Sequence, residues 1–371
     1  MTTSRPSDPA KLTAFSERAF HDLSAVYTVA MCILGDQLGL FKALAPHGPT
    51  TSSELATFTQ MNERYLREWL SALACAGYAQ YDPASQRFSL TPEQAAVLAE
   101  EGGPAFLGGE YEQIPALWGV FDRLAPAFRE GGGVPQSAYH ERLYHGQDRG
   151  ARATYRHLLM QEWLPAVPHI QAMLERGIDM ADLGCGGGHA LIALARAYPN
   201  SRYTGYDAYP PTIARARQNA EAAGVAERVR FVALDASEGL PEQYDLITTF
   251  IVVHDAAQPR ALLHAIRQAL RPGGIYFCSE ERVSDHLEQN FGPLGAYFYS
   301  TSVQYCMTNS LAEGGEGLGT AGLPPAKLRE LCLEAGFSQV RQVPFESFYR
   351  YFYEMTGYAK TQADSGHPES A

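Results

Sequence analysis

The stretch Asp182-Leu183-Gly184-Cys185-Gly186-Gly187-Gly188 decides how this chain is read. It closes a predicted strand over 178–183 and opens a predicted helix over 189–198. Glycines at such a junction let the backbone approach a ligand closely. Beyond it, predicted strands at 202–207, 228–233, 244–252 and 274–279 alternate with helices at 211–223, 257–270 and 325–335. Alternation of this kind predicts a parallel sheet with helices on both faces. Asp207 ends the second strand and Asp235-Ala236 the third. Each lies at a carboxyl strand end, where open parallel sheets bind ligands.

A nicotinamide-dinucleotide fold requires G-x-G-x-x-G, and counting from Gly184 places His189 where the third glycine belongs. A pyrophosphate would also be repelled by Asp182, which suits a ligand bearing a cationic amino group. Asp207 can accept from both hydroxyls of a ribose, and Asp235 from an adenine amino group.

The N-terminal part reads differently. Residues 12–46 carry Phe15, Ala19, Leu23, Val26, Ala30, Ile33 and Leu34 at helical spacing up to Gly39 and Pro46. Thr50-Thr51-Ser52-Ser53-Glu54 supplies N-cap hydroxyls. Asn62 then precedes an amphipathic run with Tyr65, Leu66, Trp69, Leu70 and Leu73 on one face, closed by Gly77. A hairpin follows: Tyr78 to Tyr81, the turn Asp82 to Ser85, and Arg87 to Leu90. This is a winged-helix pattern, assigned to residues 1–103. Residues 1–100 hold seven Lys/Arg against ten Asp/Glu, and Glu63, Arg64, Arg67 and Glu68 leave no basic face. A dimerisation domain is therefore expected rather than a DNA reader, since the apolar helices exceed what a winged helix needs.

Residues 104–176 read as a helical connector interrupted by Gly131-Gly132-Gly133-Val134-Pro135, with Phe121, Phe128, Tyr139 and Tyr144 around it. It is either a plain loop or one folded over a pocket. Residues 177–361 form the α/β domain, and 362–371 a polar tail expected to be disordered.

The Asp182-to-Gly188 loop with Asp207, Asp235 and the Pro272-Gly273-Gly274 turn resembles the class I S-adenosylmethionine-dependent methyltransferases over residues 178–345. The order of domains resembles the small-molecule O-methyltransferases and a bacterial group of winged-helix methyltransferases. That resemblance implies a Rossmann-like fold and S-adenosylmethionine as cofactor. It implies cofactor contacts at Asp182, Gly184, Gly186, Asp207, Ala208, Asp235, Ala236 and Phe250. In that family a His-Asp-Trp sequence after the fourth strand supplies a general base; here Ile251-Val252-Val253-His254-Asp255 is followed by Ala256.

An imidazole with an ordinary pKa near ~6.5 suits base work near neutrality. His254 is thus the expected base, a structural histidine being the alternative. Glu280, closing the fifth strand, can orient it or stabilise its imidazolium, while the pleat points Glu281 elsewhere. Asp255 is expected to cap a helix. Residues 286–322, with Tyr297-Phe298-Tyr299 and Glu316-Gly317-Leu318-Gly319, read as an acceptor-pocket segment with a mobile flap, or as a packed helix and loop. A metal reading would use His254, Glu280 and His286, which share no ligand spacing, so no metal is expected.

The expected reaction is O-methylation of a small, planar or moderately polar acceptor. The alternatives are an S-adenosylmethionine-binding transcriptional regulator, a metal-assisted C-methyltransferase and a nicotinamide oxidoreductase.

Composition bounds the rest. The 371 residues, 46% hydrophobic with a formal net charge of −12, predict two to three globular domains and speak against a phosphate-neutralising surface. Six cysteines without a C-x-x-C pair read as buried thiols of a reducing compartment. No apolar run approaches the ~20 residues of a membrane span. A cytoplasmic homodimer is expected, with no nucleic-acid or membrane partner.

Overall fold

A computed structural model describes residues 7–357. The polar tail expected over 362–371 lies outside them. The chain divides into two compact units, one running to Ile114 and including His145–Gly150, the other comprising Pro115–Tyr144 and Ala151 onward. The stretch 104–176, expected as a connector, is thus shared between them.

The first unit holds α1 (Pro9–Gln37), α2 (Leu40–His47), α3 (Ser52–Thr59), α4 (Glu63–Cys75), the hairpin β1 (Gln80–Asp82) and β2 (Arg87–Ser89), and α5 (Pro92–Leu98). It also takes the first turns of α6 (Gly108–Trp118). Local chemistry sets the boundaries. Asp8 caps α1, Thr51 and Glu54 form a reciprocal capping box on α3, and Asn62 caps α4. Arg87 of the wing donates to both Glu54 oxygens at 2.7 and 2.8 Å, tying hairpin to helix. Leu66, Trp69, Leu70 and Leu73 are buried, and Trp69 Nε1 donates to the Met31 carbonyl at 2.9 Å. Gly35 is required at that crossing, because a Cβ there would lie 2.5 Å from the Phe41 ring. By contrast, α1 is exposed from Pro9 to Tyr27.

The same unit contains a half-buried ionic knot. Arg149 donates to Asp36 at 2.8 and 3.0 Å, to Glu101 at 2.7 Å and to Glu112 at 2.7 Å. Its side chain is only 13% exposed.

The second unit contains α7 (Phe121–Glu130), α8 (Arg142–Thr154, shared with the first unit), a π-helical stretch Tyr155–Trp163 and α9 (Pro168–Arg176). Then come β3 (Asp179–Leu183), α10 (His189–Ala197), β4 (Arg202–Asp207), α11 (Pro210–Ala222), β5 (Val229–Ala233), β6 (Tyr244–Phe250), α12 (Pro259–Ala269) and β7 (Leu270–Glu281). After β7 follow α13 (Pro293–Thr301), a π-helical turn Ser302–Cys306, α14 (Met307–Ala312), α15 (Pro325–Glu334), β8 (Gln339–Gln342) and β9 (Arg350–Thr356).

The sheet order is β5-β4-β3-β6-β7-β9-β8, with β9 antiparallel to both its neighbours. The five expected strands and four expected helices fall where the pattern placed them; β8 and β9 are additional. One face of the sheet buries Trp163, Leu174, Leu191, Phe231, Phe277 and Phe352, the other Ile247, Leu263, Ile266, Tyr276, Leu331 and Phe337. Chain order reverses between β3 and β6. In an open parallel sheet that reversal marks the ligand crevice at the carboxyl strand ends.

Candidate functional site

The glycine loop leaves β3 with Gly184, Gly186 and Gly188 at φ of +63°, +53° and +76°. Side chains are excluded at two of them: a Cβ on Gly184 would lie 2.7 Å from Val252, and one on Gly188 2.4 Å from the Phe231 ring. Gly186 has nothing within 4 Å of that position, so its backbone faces open space. Its N–H donates to Asp207 Oδ2 at 3.1 Å, and the Tyr209 N–H to Asp207 Oδ1 at 2.9 Å. Burial raises the Asp207 carboxyl above its usual range, against the pull of those two bonds. Asn219 of α11, which the sequence reading missed, donates to the Gly187 carbonyl at 2.9 Å and fixes the loop from behind.

Asp182 is 3% exposed and accepts one side-chain bond, from Thr248 at 2.6 Å. Burial pushes it up to about 7; the Thr248 bond opposes this and the Asp207 charge adds to it. It is a buried carboxyl without a cation, the condition an ammonium group would relieve. Asp235 is exposed, with Oδ1 accepting from the Ser237 N–H at 2.9 Å and its hydroxyl at 2.7 Å. Ala236 behind it is buried, and Ala208 is exposed beside Asp207. Phe250, ending β6, is buried against Tyr155 and Trp163, with ring centres 5.4 and 5.8 Å away. These two aromatics come from the π-helical stretch and carried no motif.

Ile251 follows at φ +56°, a left-handed conformation that is unfavourable for a β-branched residue and is typically retained at functional sites. Its N–H donates to the Ser279 carbonyl at 2.7 Å, and the chain then turns back over the end of β7. Glu280, 1% exposed, accepts from the Val253 N–H at 2.9 Å and from His254 Nδ1 at 2.6 Å. His254 is 3% exposed. Burial would lower its pKa, but the charges of Asp255 and Glu280 carry it well above the ordinary value. The structure thus joins the two residues proposed for catalysis.

Asp255 is not the helix cap expected of it. Helix α12 begins four residues later, at Pro259, and Asp255 Oδ1 instead lies 3.2 Å from His254 Nε2. Cys306 Sγ joins them, and the three groups offer ligand atoms within 4.8 Å of one another, enough to hold a cation. His286, considered in the sequence with His254 and Glu280, is exposed and is not part of that group. Glu281 follows Glu280 on β7, and burial pushes its carboxyl up to about 7 against the pull of the Arg350 and His254 charges.

The glycine-rich stretch, read as a flap or as a packed helix and loop, is tied to the His254 turn: the Gly319 N–H donates to the His254 carbonyl at 3.1 Å and the Glu316 N–H to the Ala257 carbonyl at 3.0 Å. Gly133 and Val134 dock on the segment before it. The Val134 N–H bonds both the carbonyl and the hydroxyl of Thr308, and a Cβ on Gly133 would overlap that carbonyl.

Residues 181–276 match the family model described as a methyltransferase domain, and residues 25–100 that of the Rv2258c-like winged HTH domain. A ubiquinone biosynthesis O-methyltransferase of Cereibacter sphaeroides is 36% identical over 103 residues, 28% of this chain and 41% of that protein. The match therefore spans less than half of the relative. Human N-acetylserotonin methyltransferase, solved with S-adenosylmethionine, superposes with a TM-score of 0.66 at 21% identity, covering 96% of this chain and 100% of that one. The mitomycin 7-O-methyltransferase MmcR superposes at 0.67 and 18% identity, covering 94% and 100%. The fold is thus the Rossmann-like class I methyltransferase fold behind a winged helix.

Proposed function

We propose that this chain, a class I methyltransferase fold behind a winged helix, methylates a hydroxyl of a small-molecule acceptor with S-adenosylmethionine, using His254 as general base. The buried His254–Glu280 pair, at the strand ends beside the glycine loop, carries the reading. The residues fit the cofactor: Asp182 awaits a cation, Gly186 opens its backbone, and each Asp207 oxygen has a lone pair beyond its backbone bond. When bound, the sulfonium supplies an electrophilic methyl group for in-line displacement. Asp182 would hold the ammonium and Asp207 the ribose, with Asp235 and Ala236 at the adenine.

Glu280 keeps the proton on Nδ1 and stabilises the imidazolium that forms when Nε2 takes the acceptor's proton. Phe250, Tyr155 and Trp163 exclude water from the reacting end. Positioning and desolvation supply the remaining rate, with no need of a metal.

A small-molecule partner is supported by α4, whose Arg64 and Arg67 pair with Glu68 and Glu63 at 2.5 and 2.9 Å and leave no basic face for DNA. Homodimerisation is supported by α1, which exposes Phe15, Phe20 and Tyr27 at 69, 71 and 69%. Among the described residues no single helix is long and apolar enough to cross a membrane.

The test is calorimetry with S-adenosylhomocysteine and with NAD, followed by transfer of labelled methyl from S-adenosylmethionine into a host metabolite extract. Binding of the first ligand alone and label in a small molecule are expected, with activity unchanged by EDTA. Preference for NAD, or a salt-sensitive gel shift with genomic DNA and no transfer, would overturn the reading.

A further inference from the structure

Arg350 opens β9 directly opposite Glu281 of β7. Alternation along both strands turns these side chains toward the face that carries Phe277 and Phe352. The guanidinium carbon lies 5.1 Å from the centre of the Trp163 ring. Trp163 in turn packs on Phe352 at 4.9 Å, on Phe250 at 5.8 Å and edge-on to Tyr155 at 6.0 Å. A planar cation therefore covers one wall of an aromatic box whose other wall is Phe250, at the end of β6.

Nη1 of Arg350 is buried and has no hydrogen-bond partner among the described residues. A guanidinium keeps its proton at any pH the fold survives, so the group cannot escape burial by neutralising. A buried charged donor left unpaired is costly, and buried polar groups in native proteins are overwhelmingly satisfied. Glu281, the nearest acid in register, does not close the site; no ion pair within 4.0 Å joins the two. Its carboxyl is pushed up to about 7 by burial, with Arg350 drawing it back. Arg350 likewise pulls, by its charge and by a hydrogen bond, against the burial that raises the Tyr155 hydroxyl, so Nη1 and not the whole guanidinium lacks a partner.

We infer that Arg350 binds a carboxylate of the small molecule that enters this site, Nη1 donating to one oxygen while Trp163 covers the guanidinium face. Position selects the acceptor as its source. Arg350 stands beside β7, whose last residues carry Glu280, while the expected cofactor contacts other than Phe250 lie at the ends of β3, β4 and β5, on the far side of β6. The acceptor is accordingly a planar acid that offers a separate hydroxyl to His254. This rests on the methyl-transfer reading above, and the same chemistry is present in the cofactor's own amino-acid end.

The experiment separates the two sources. Wild type, Arg350→Gln and Arg350→Lys, each checked by circular dichroism, are titrated with S-adenosylhomocysteine and assayed for labelled methyl transfer into the metabolite extract. The labelled products are sorted by anion exchange. Expected is a product retained as an anion, with kcat/KM for it falling roughly 10- to 150-fold in Arg350→Gln, less in Arg350→Lys, and S-adenosylhomocysteine affinity unchanged. An equal fall in S-adenosylhomocysteine affinity would assign the carboxylate to the cofactor and overturn the acceptor assignment. A neutral product formed at full rate by both variants, with unchanged cofactor affinity, would overturn the inference altogether. Wild-type binding and transfer in the same assay show that the parent reading stands in each case.

Discussion

Glu280 Oε2 lies 2.6 Å from His254 Nδ1 while its other oxygen accepts the Val253 N–H, so one carboxylate fixes both the ring and the backbone that presents it. The tautomer follows from this. With the Nδ1 proton engaged by Glu280, Nε2, 3.2 Å from Asp255 Oδ1, is the nitrogen that would exchange a proton with the acceptor. His254→Ala should lower kcat by about 10²–10⁴ with S-adenosylhomocysteine affinity retained. Glu280→Gln should lower it less and shift its pH profile. Single-turnover assays and calorimetry on the same preparations check both; cofactor affinity lost together with activity would point to a structural role.

The pH profile carries a sign. A general base works when neutral, and His254 is held well above the ordinary imidazole value by Asp255 and Glu280. The rate should therefore rise with pH along a limb lying above the unperturbed value near ~6.5. Asp255→Asn removes the charge at Nε2 and should move that limb toward lower pH. The same linkage acts on stability: a raised folded pKa contributes stability that is full below the unfolded value and lost as pH climbs through the folded one. Asp255→Asn should reduce that loss in thermal melts between pH 6 and 9, and an unmoved limb would remove Asp255 from the account.

Cofactor affinity should depend on Asp207. Replacing it with Ala should weaken S-adenosylmethionine binding by about 1.5–3 kcal/mol, roughly 10- to 150-fold, because charge-assisted bonds to the ribose are lost. The Gly186 N–H loses its acceptor as well. Unchanged affinity in a folded variant would remove the ribose assignment.

Assembly should depend on the exposed length of α1. Phe15 and Leu23, 69 and 51% exposed, make few contacts within this chain, so Phe15→Asp with Leu23→Asp leaves the winged-helix core intact. Light scattering should report a dimer for wild type and a monomer for the double variant. A dimer that survives both charges would place the interface elsewhere.

The ionic knot of the first unit should show in stability. Arg149→Met strands Asp36 and leaves Glu112 with His145 as its partner, and should cost about 1–3 kcal/mol in urea unfolding. Burial alone would raise the Glu101 carboxyl, yet hydrogen bonds from Arg149 and Lys42 take it down to about 2. A depressed folded pKa contributes stability above the unfolded value near ~4.3 and loses it as pH falls toward 2. That acid-side loss should be smaller in Arg149→Met than in wild type.

Sequence alone determined the parallel strands, their helices and the acids at their carboxyl ends. Periodicity, glycine spacing and the acids at strand ends are local signals that survive without a fold, and Asp182, Gly184, Gly186 and Asp207 meet as their spacing implied. The winged helix was legible for the same reason, since caps at Thr51 and Asn62 and the turn at Asp82 are written in adjacent residues. Tertiary structure alone decided the rest. Nothing in the local sequence of Tyr155 or Trp163 ties them to Phe250, because a π-helical stretch departs from the 3.6-residue period by which a helical face is read. Strand β8 is short and polar, so it declares itself only by pairing with β9. Asp255 has the look of a cap from its neighbours, yet the left-handed Ile251 turns the chain so that its carboxylate meets the imidazole instead. Local pattern fixes elements, whereas the partners of buried charges such as Glu280, Asp182 and Arg350 are chosen by which strand ends the sheet order brings side by side.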